Sequence, residues 1–211
     1  LLASSVCDVC EAQVALRKRV RELDALYRLS SLVTADEHVD QVLTHGLELA
    51  VEVLGVDAGS IALYERQDGH ALGDRPVIRA ALGLSKEWAN DSSPLTRGGM
   101  LRRQAIDGGV VTIEDMFTDP RIADHARVRR EGVRGLMSTG LIDQGRPAGV
   151  IRLMSRTPRV FTEAEGDLLR AIAEHLASAM TKAGLRELRV EDERIQRQVR
   201  LAADVQRRML P

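Results

Sequence analysis

At both ends of this chain, apolar residues return at alternating steps of three and four, the spacing of a heptad seam. The first run is Val9, Leu16, Val20, Leu23 and Tyr27, with Gln13 at the skipped position and charges such as Glu11, Arg17, Arg21 and Asp24 on the other faces. The second is Leu185, Leu188, Ile195, Val199, Ala202 and Met209, interrupted by Asp192 and Gln206. A stripe two residues wide in seven favours a partner helix; the alternative for the first run is an amphipathic helix lying on its own domain. Three segments follow: an N-terminal coiled-coil helix over 1–21, a globular domain over 22–182 and a C-terminal coiled-coil linker over 183–211.

The middle segment carries both periods. Val39, Val42, Leu43, Leu47, Ala50, Val51 and Leu54 form a wide helical stripe over 37–54, with Gly55 as its C-cap. Strands are predicted over 60–65, 77–82, 110–113, 136–142 and 148–155, with turn chemistry at Gln67-Asp68-Gly69 and at Asp143-Gln144-Gly145-Arg146. The stretch 85–99 reads as a loop with one helical turn, 100–106 as a short helix and 121–131 as a charged helix after the Asp119-Pro120 turn. Thr162-Glu163-Ala164-Glu165 is a capping box, preceded by Phe161 as the staple residue. The helix it opens points Leu168, Leu169, Ile172, Ala173, Leu176, Ala179 and Met180 inward, passes a stutter at Gly184 and leaves as the second seam. Strands joined by short turns, without regular helical crossovers, give an antiparallel sheet flanked by helices: an α+β layer fold.

Composition narrows the function. Lys+Arg is 30 against 31 Asp+Glu, a formal net charge of −1, which argues against a dedicated nucleic-acid binder. Aromatics are 2% of the chain, too few for a base-stacking platform. Lysine stands only at Lys18, Lys86 and Lys182; the arginine excess reads as genomic base composition. No segment approaches the roughly 20 apolar residues of a bilayer span, so no membrane role is expected. The opening residues have neither a basic n-region nor an apolar h-region, so no signal peptide is expected there, and the location is read as cytoplasmic. Leu1 is not a Met, and Pro211 falls inside a charged helical pattern, so the expectation is a piece of a longer protein. Cys7 and Cys10 read as two reduced thiols on one helix face. A metal shared across a dimer, or an interchain disulfide, is the alternative, since a zinc site needs four ligands and the nearest histidine is His38.

With these phrases in order, residues 22–182 resemble a GAF domain. The resemblance rests on Leu26-Tyr27-Arg28-Leu29-Ser30-Ser31-Leu32 before the first helix and on the stretch from Ile106 through Asp115 with Thr118-Asp119-Pro120-Arg121. It also rests on Gly132-Val133-Arg134-Gly135-Leu136-Met137 with Gly145-Arg146-Pro147-Ala148-Gly149-Val150-Ile151, and on Phe161-Thr162-Glu163-Ala164-Glu165. Thr139-Gly140 stands where many members have Val-Pro. The resemblance implies a regulatory module of a bacterial signalling protein that binds a small ligand or mediates dimerisation. The Asn-Lys signature of cyclic-nucleotide binders is missing, since Asp91 follows Asn90. No cysteine follows Cys10 to hold a bilin, and His70 and His125 read as solvated rather than as haem ligands, so the cofactor is unknown. The residues from Leu201 to Pro211, ending Gln206-Arg207-Arg208-Met209-Leu210-Pro211, resemble the linker that opens SpoIIE-type serine phosphatases of the PPM superfamily. That implies a downstream phosphatase whose metal-holding aspartates lie past residue 211, so the chain itself is expected not to be an enzyme. Another output, a histidine kinase or a nucleotide cyclase, or a ligand-free dimerising scaffold, is the alternative.

Candidate chemistry within the domain is sparse. Gly98-Gly99 and Gly108-Gly109 lack a P-loop lysine, and no Gly-x-Ser-x-Gly elbow occurs. Asp115, Asp119 and Asp124 read as turn and cap residues rather than a metal cluster, so no metal site is assigned. Arg127-Val128-Arg129-Arg130-Glu131 reads as a solvated helix face, or as a surface for an anionic ligand or partner. As ligand-binding residues we single out Trp88, the lone tryptophan, in the polar segment 84–96, closing over a floor made by Met137 and Thr139; the alternative for Trp88 is a packing plug. The expected assembly is a parallel homodimer joined through the helical seams.

Overall fold

The computed structural model describes residues 38–67, 71–91, 93, 95–96, 99–100, 103 and 107–209. The N-terminal seam, Cys7, Cys10, His70, the tip of the first hairpin, most of the 100–106 helix and the Leu210-Pro211 ending therefore lie outside the described residues.

Helix α1, Val39–Leu54, buries Val42, Leu43, Leu47, Ala50 and Leu54, the stripe expected from the sequence, and stops where Gly55 turns left-handed at φ 58°. Strands β1, Ala58–Gln67, and β2, Ala71–Leu82, pair antiparallel. Helix α2, Lys86–Asn90, is the helical turn read within 85–99; Ser85 caps it by accepting the Trp88 N–H. Strand β3, Val111–Ile113, comes next, then helix α3, His125–Glu131. Strands β4, Gly135–Asp143, and β5, Arg146–Ser155, form a hairpin whose two loop residues, Gln144 and Gly145, both take positive φ. That backbone matches the right-handed twist of the flanking strands. Helix α4, Glu163–Met209, closes the order.

The five strands make one antiparallel sheet in the order β2-β1-β5-β4-β3. One face is covered by α1 and the first half of α4. Leu43, Leu47, Ile61, Met137, Leu141, Ile151 and Leu153 meet Leu169, Ile172, Ala173 and Leu176 there in one aliphatic core. The helices cross closely at Gly46, where an added Cβ would stand 2.0 Å from Leu176 Cδ2. The other face is roofed by α2, α3 and the segment around Met116 and Ile122, over a second cluster containing Ala58, Trp88, Ile113, Val128, Leu136 and Met154.

The capping box forms as read: the Thr162 N–H donates to Glu165 Oε2 (2.8 Å) and the Glu165 N–H to Thr162 Oγ1 (3.3 Å). Phe161 is buried in the aliphatic core, with the Arg159 guanidinium 5.0 Å from its ring centroid. Its staple position across the first turn falls on Gly166, which offers no side chain. Arg159 also donates to the carbonyls of Leu54 (2.9 Å) and Gly55 (2.7 Å) and to Glu165 Oε1 (2.7 Å), joining the end of α1 to the start of α4. The α3 helix starts at His125, not at 121, because Asp124 caps it by accepting the Arg127 N–H while Arg121 folds back onto Asp119.

Past Gly184 the helix runs on without a break. Leu185, Leu188, Ile195 and Val199 remain 53, 69, 49 and 62% exposed, a seam with nothing packed on it among the described residues. The start of α1 is tied to this post: Glu187 Oε1 accepts the Val39 N–H (3.1 Å) and lies 3.0 Å from His38 Nδ1. No helix of the described residues is long and apolar enough to cross a membrane.

Candidate functional site

Strand alternation sends every second side chain to the roofed face. On β1 these are Ala58, Ser60, Ala62 and Tyr64; on β5, Val150, Arg152 and Met154; on β4, Leu136, Ser138 and Gly140. The register aligns Ser60, Arg152 and Ser138 in one cross-strand row, and Ala62, Val150 and Gly140 in the next. Except for Arg152, the residues of the two rows are small or short, and all of them are buried.

Arg152 is the only charged side chain among these face residues, and it is half-buried. Its Nε is sealed from solvent and has no hydrogen-bond partner; the Ser60 hydroxyl beside it in the register is likewise sealed and unpartnered. Ser138 is occupied, donating to the Ile151 carbonyl at 3.1 Å. Burial pulls the Arg152 pKa below the usual arginine value; Tyr64 works against that shift and the positive charge of Arg127 adds to it. Arg127 is therefore within electrostatic reach, on the roof.

The roof is built on Arg127 and Trp88. The guanidinium lies 4.4 Å from the Trp88 ring centroid. It donates to the carbonyls of Asp91 (2.9 Å) and Ser93 (3.1 Å), and its Nε stands 3.2 Å from Asp91 Oδ2. Burial lowers its pKa, and Asp91, Asp124 and Glu131 oppose that. The Asp91 carboxyl is held below its ordinary range chiefly by hydrogen bonds from Ser93, with Arg127 adding to them. A cleft of about 330 Å³ opens at this point, lined in part by Ser85, Trp88, Asp91, Arg127 and Glu131.

The three residues singled out from the sequence do not come together. Trp88 is 5% exposed and packs in the roofed cluster, as a plug would. Met137 lies on the opposite side of the sheet, inside the aliphatic core under α1 and α4. Thr139, two residues on, shares the parity of Met137 and donates to the Gly109 carbonyl at 3.3 Å. The floor beneath the roof is thus made by Leu136, Ser138 and Gly140, the neighbours of the residues expected there. Arg152 was missed. Its signal is a charged residue between Ile151 and Leu153 in a strand whose two faces are both covered.

The charged run of α3 is only partly a solvated face. Val128 is fully buried, Arg127 holds the roof, and Arg129 donates to the Phe117 carbonyl (3.3 Å); Arg130 points out. Asp115 pairs with Arg134 and accepts the Phe117 N–H (3.0 Å). Asp119 pairs with Arg121 and accepts its N–H (2.8 Å), so with Asp124 all three carboxylates serve turns and caps. His125 is half-buried, its Nδ1 3.0 Å from the Met116 carbonyl. Among the described residues no group of three or more His, Cys, Asp or Glu is placed to hold a metal ion.

A model of the GAF domain family matches residues 36–181, well over half of the chain, and the chain belongs to that family. GAF domains are sensory and regulatory modules of signalling proteins, which is the role this membership gives the globular part. No curated protein matches the sequence. Among solved structures, the fold is similar to the GAF domain of a phosphoenolpyruvate-protein phosphotransferase from Coxiella burnetii, at 21% identity and a TM-score of 0.65, over 80% of this chain and 98% of that one. It is also similar to the phycoerythrobilin-bound GAF domain of a cyanobacterial phytochrome, at 17% identity and a TM-score of 0.61, over 78% of this chain and 96% of that one. A third similar structure is free methionine-R-sulfoxide reductase from Neisseria meningitidis with its substrate, at 19% identity and a TM-score of 0.61, over 78% of this chain and 91% of that one. The similarity at these identities is one of fold.

Proposed function

We propose that this GAF domain is the cytoplasmic sensory and dimerising module of a bacterial signalling protein, with a small ligand as its input and a PPM-type serine/threonine phosphatase as its output. The observation that carries the reading is α4. One helix forms the floor of the aliphatic core through Leu169, Ile172 and Leu176, then continues as a seam of Leu185, Leu188, Ile195 and Val199 that is uncovered among the described residues. Exposed apolar residues at heptad spacing favour a second copy of the same helix, and a parallel pair would carry any shift in the domain to whatever follows. The phosphatase assignment rests on the Gln206-to-Pro211 phrase, which resembles the linker of SpoIIE-type enzymes.

Light scattering across a dilution series tests the assembly. A dimer mass is expected, reduced to the monomer by Leu188→Asp with Ile195→Asp; a wild-type chain that is monomeric throughout overturns it. The gene downstream of the Pro211 codon tests the output. A PPM domain with metal-binding aspartates is expected, and a kinase or cyclase domain in that place overturns the phosphatase assignment.

A further inference from the structure

The seam on the stalk of α4 is not the continuation of the domain's own core. Leu169, Ile172, Leu176 and Ala183 face the aliphatic core. At about 100° per residue, Leu188 stands roughly 140° further round the helix than Ala183. Exposure changes with it: Ala183 is buried, whereas Leu185, Leu188, Ile195 and Val199 are open. Seven-residue spacing sets Leu185, Asp192 and Val199 in one column of the seam and Leu188, Ile195 and Ala202 in the other. Asp192 therefore occupies a seam position with Leu185 and Leu188 on one side and Ile195 and Val199 on the other. Among the described residues its carboxylate accepts one hydrogen bond, from Gln196 Nε2 to Oδ2 at 3.1 Å, and makes no ion pair.

We propose that two copies of α4 pair in parallel and in register through this seam, and that Asp192 meets its own counterpart there, so that pairing takes up a proton and tightens as the pH falls. The inference rests on the dimer reading above and names its regulation. In such a pair each residue of the first column faces the same residue of the second copy. Two carboxylates held in one layer repel each other when both are ionised; one takes a proton and donates it in a hydrogen bond to the other. The positions flanking the layer supply no cation to relieve them. Glu191 borders it, 3.8 Å from Arg194, and falls across the seam from Gln196 of the second copy rather than from a lysine or arginine. Arg189 lies one turn nearer the domain, beside the Leu188 layer, and Glu193 and Arg194 take outer positions of the heptad. A single charged layer among apolar ones lowers the strength of pairing while fixing its register.

The test measures the dimer dissociation constant of the 211-residue chain by sedimentation equilibrium at about pH 7.5 and about pH 5.5, at constant ionic strength. Wild type is expected to pair about 3- to 10-fold more tightly at the lower pH. Asp192→Asn, which leaves His38, Glu187 and Glu191 in place, is expected to lose that dependence. Asp192→Leu is expected to pair about 10- to 100-fold more tightly than wild type at pH 7.5, because it completes the apolar seam. Leu188→Cys, in a chain that also carries Cys7→Ser and Cys10→Ser, is expected to oxidise to a covalent dimer, since a parallel register brings the two sulfurs within bonding reach. The inference is overturned if wild type pairs equally well at both values, if Asp192→Asn keeps the wild-type response, or if Asp192→Leu pairs no more tightly. A Leu188→Cys chain that pairs without cross-linking overturns the parallel register. In each of these outcomes a wild-type dimer still stands. A chain that stays monomeric at both pH values, with Asp192→Leu monomeric too, removes the dimer and the inference together.

Discussion

On the side of the sheet covered by α1 and α4, Met137, Leu141, Ile151 and Leu153 meet Leu169, Ile172 and Leu176 in one aliphatic core. On the other side Ser60, Arg152 and Ser138 face a roof in which arginines recur. Arg121 reaches the Thr112 carbonyl, Arg127 those of Asp91 and Ser93, Arg129 that of Phe117, and Arg156 those of Glu131 and Gly83. The difference follows from what covers each face. Helices satisfy their own backbone and bring only side chains to the sheet, so that face becomes uniformly aliphatic. Loops leave carbonyls over, and a multidentate donor on a long stem closes them. The arginine excess, read from the sequence as base composition, has this structural use across the loop-covered face, and on the helix-covered side at its margin, where Arg159 reaches the carbonyls of Leu54 and Gly55.

Four experiments break or sharpen that contrast. The largest effect is expected on the helix-covered face: Leu169→Ala should lower unfolding free energy by about 2–5 kcal/mol, from lost transfer energy and the cavity left behind. Urea denaturation at neutral pH measures it, and a loss under about 1 kcal/mol would show that the two layers are loosely packed. On the roof, Arg127→Lys should lower stability by about 1–3 kcal/mol, because an ammonium cannot serve two carbonyls and the Trp88 face together. The near-ultraviolet dichroism of Trp88 should change with it, whereas Leu169→Ala should change it less.

The third experiment is acid titration. The Arg134 guanidinium holds Asp115 below its ordinary range, outweighing burial, and the Phe117 N–H adds to it. For Glu165, burial pushes the carboxyl up, but the Thr162 N–H, Arg159 and the Thr162 hydroxyl outweigh it and leave the pKa lowered. A carboxyl depressed in the folded state contributes stability above its unfolded pKa, about 4 for Asp and Glu, and loses it as pH falls through the folded value. Stability should therefore fall below about pH 5. Asp115→Asn should flatten that acid limb, and Arg152→Met should leave it unchanged. The smallest effect is expected outside both faces. At Gly184 an added Cβ meets only Val39 Cγ2, at 3.9 Å, so Gly184→Ala should stabilise by about 0.5–1 kcal/mol through helix propensity. In the full-length protein, ligand-dependent output unchanged by that substitution would show that the seam's change of phase is not the switch.

The elements that were legible in the sequence are those whose ends carry their own chemistry. Gly55 ends α1, Gln144-Gly145 turns the β4–β5 hairpin, and Thr162 with Glu165 opens α4. Where two starts compete, the sequence alone does not decide: Asp119-Pro120-Arg121 and Asp124 both look like helix openings, and side-chain hydrogen bonds assign the first to a turn. The site failed for another reason. Leu136-Met137-Ser138-Thr139-Gly140-Leu141 is buried throughout, so no polar alternation marks which residues face the helices, and a one-residue error in parity moves a floor to the wrong side.

The unbroken length of α4 gives it the character of a ruler. At about 1.5 Å per residue its 47 residues reach roughly 70 Å, and each residue also turns the rod by about 100°. Lengthening the stalk beyond Gly184 by one residue would face an attached domain a quarter-turn or more away from its original bearing, whereas lengthening it by seven would restore that bearing to within about 20°. Chimaeras that join this rod to a foreign effector should therefore work in steps of seven, their activity rising and falling with insert length like a clock hand returning to the hour.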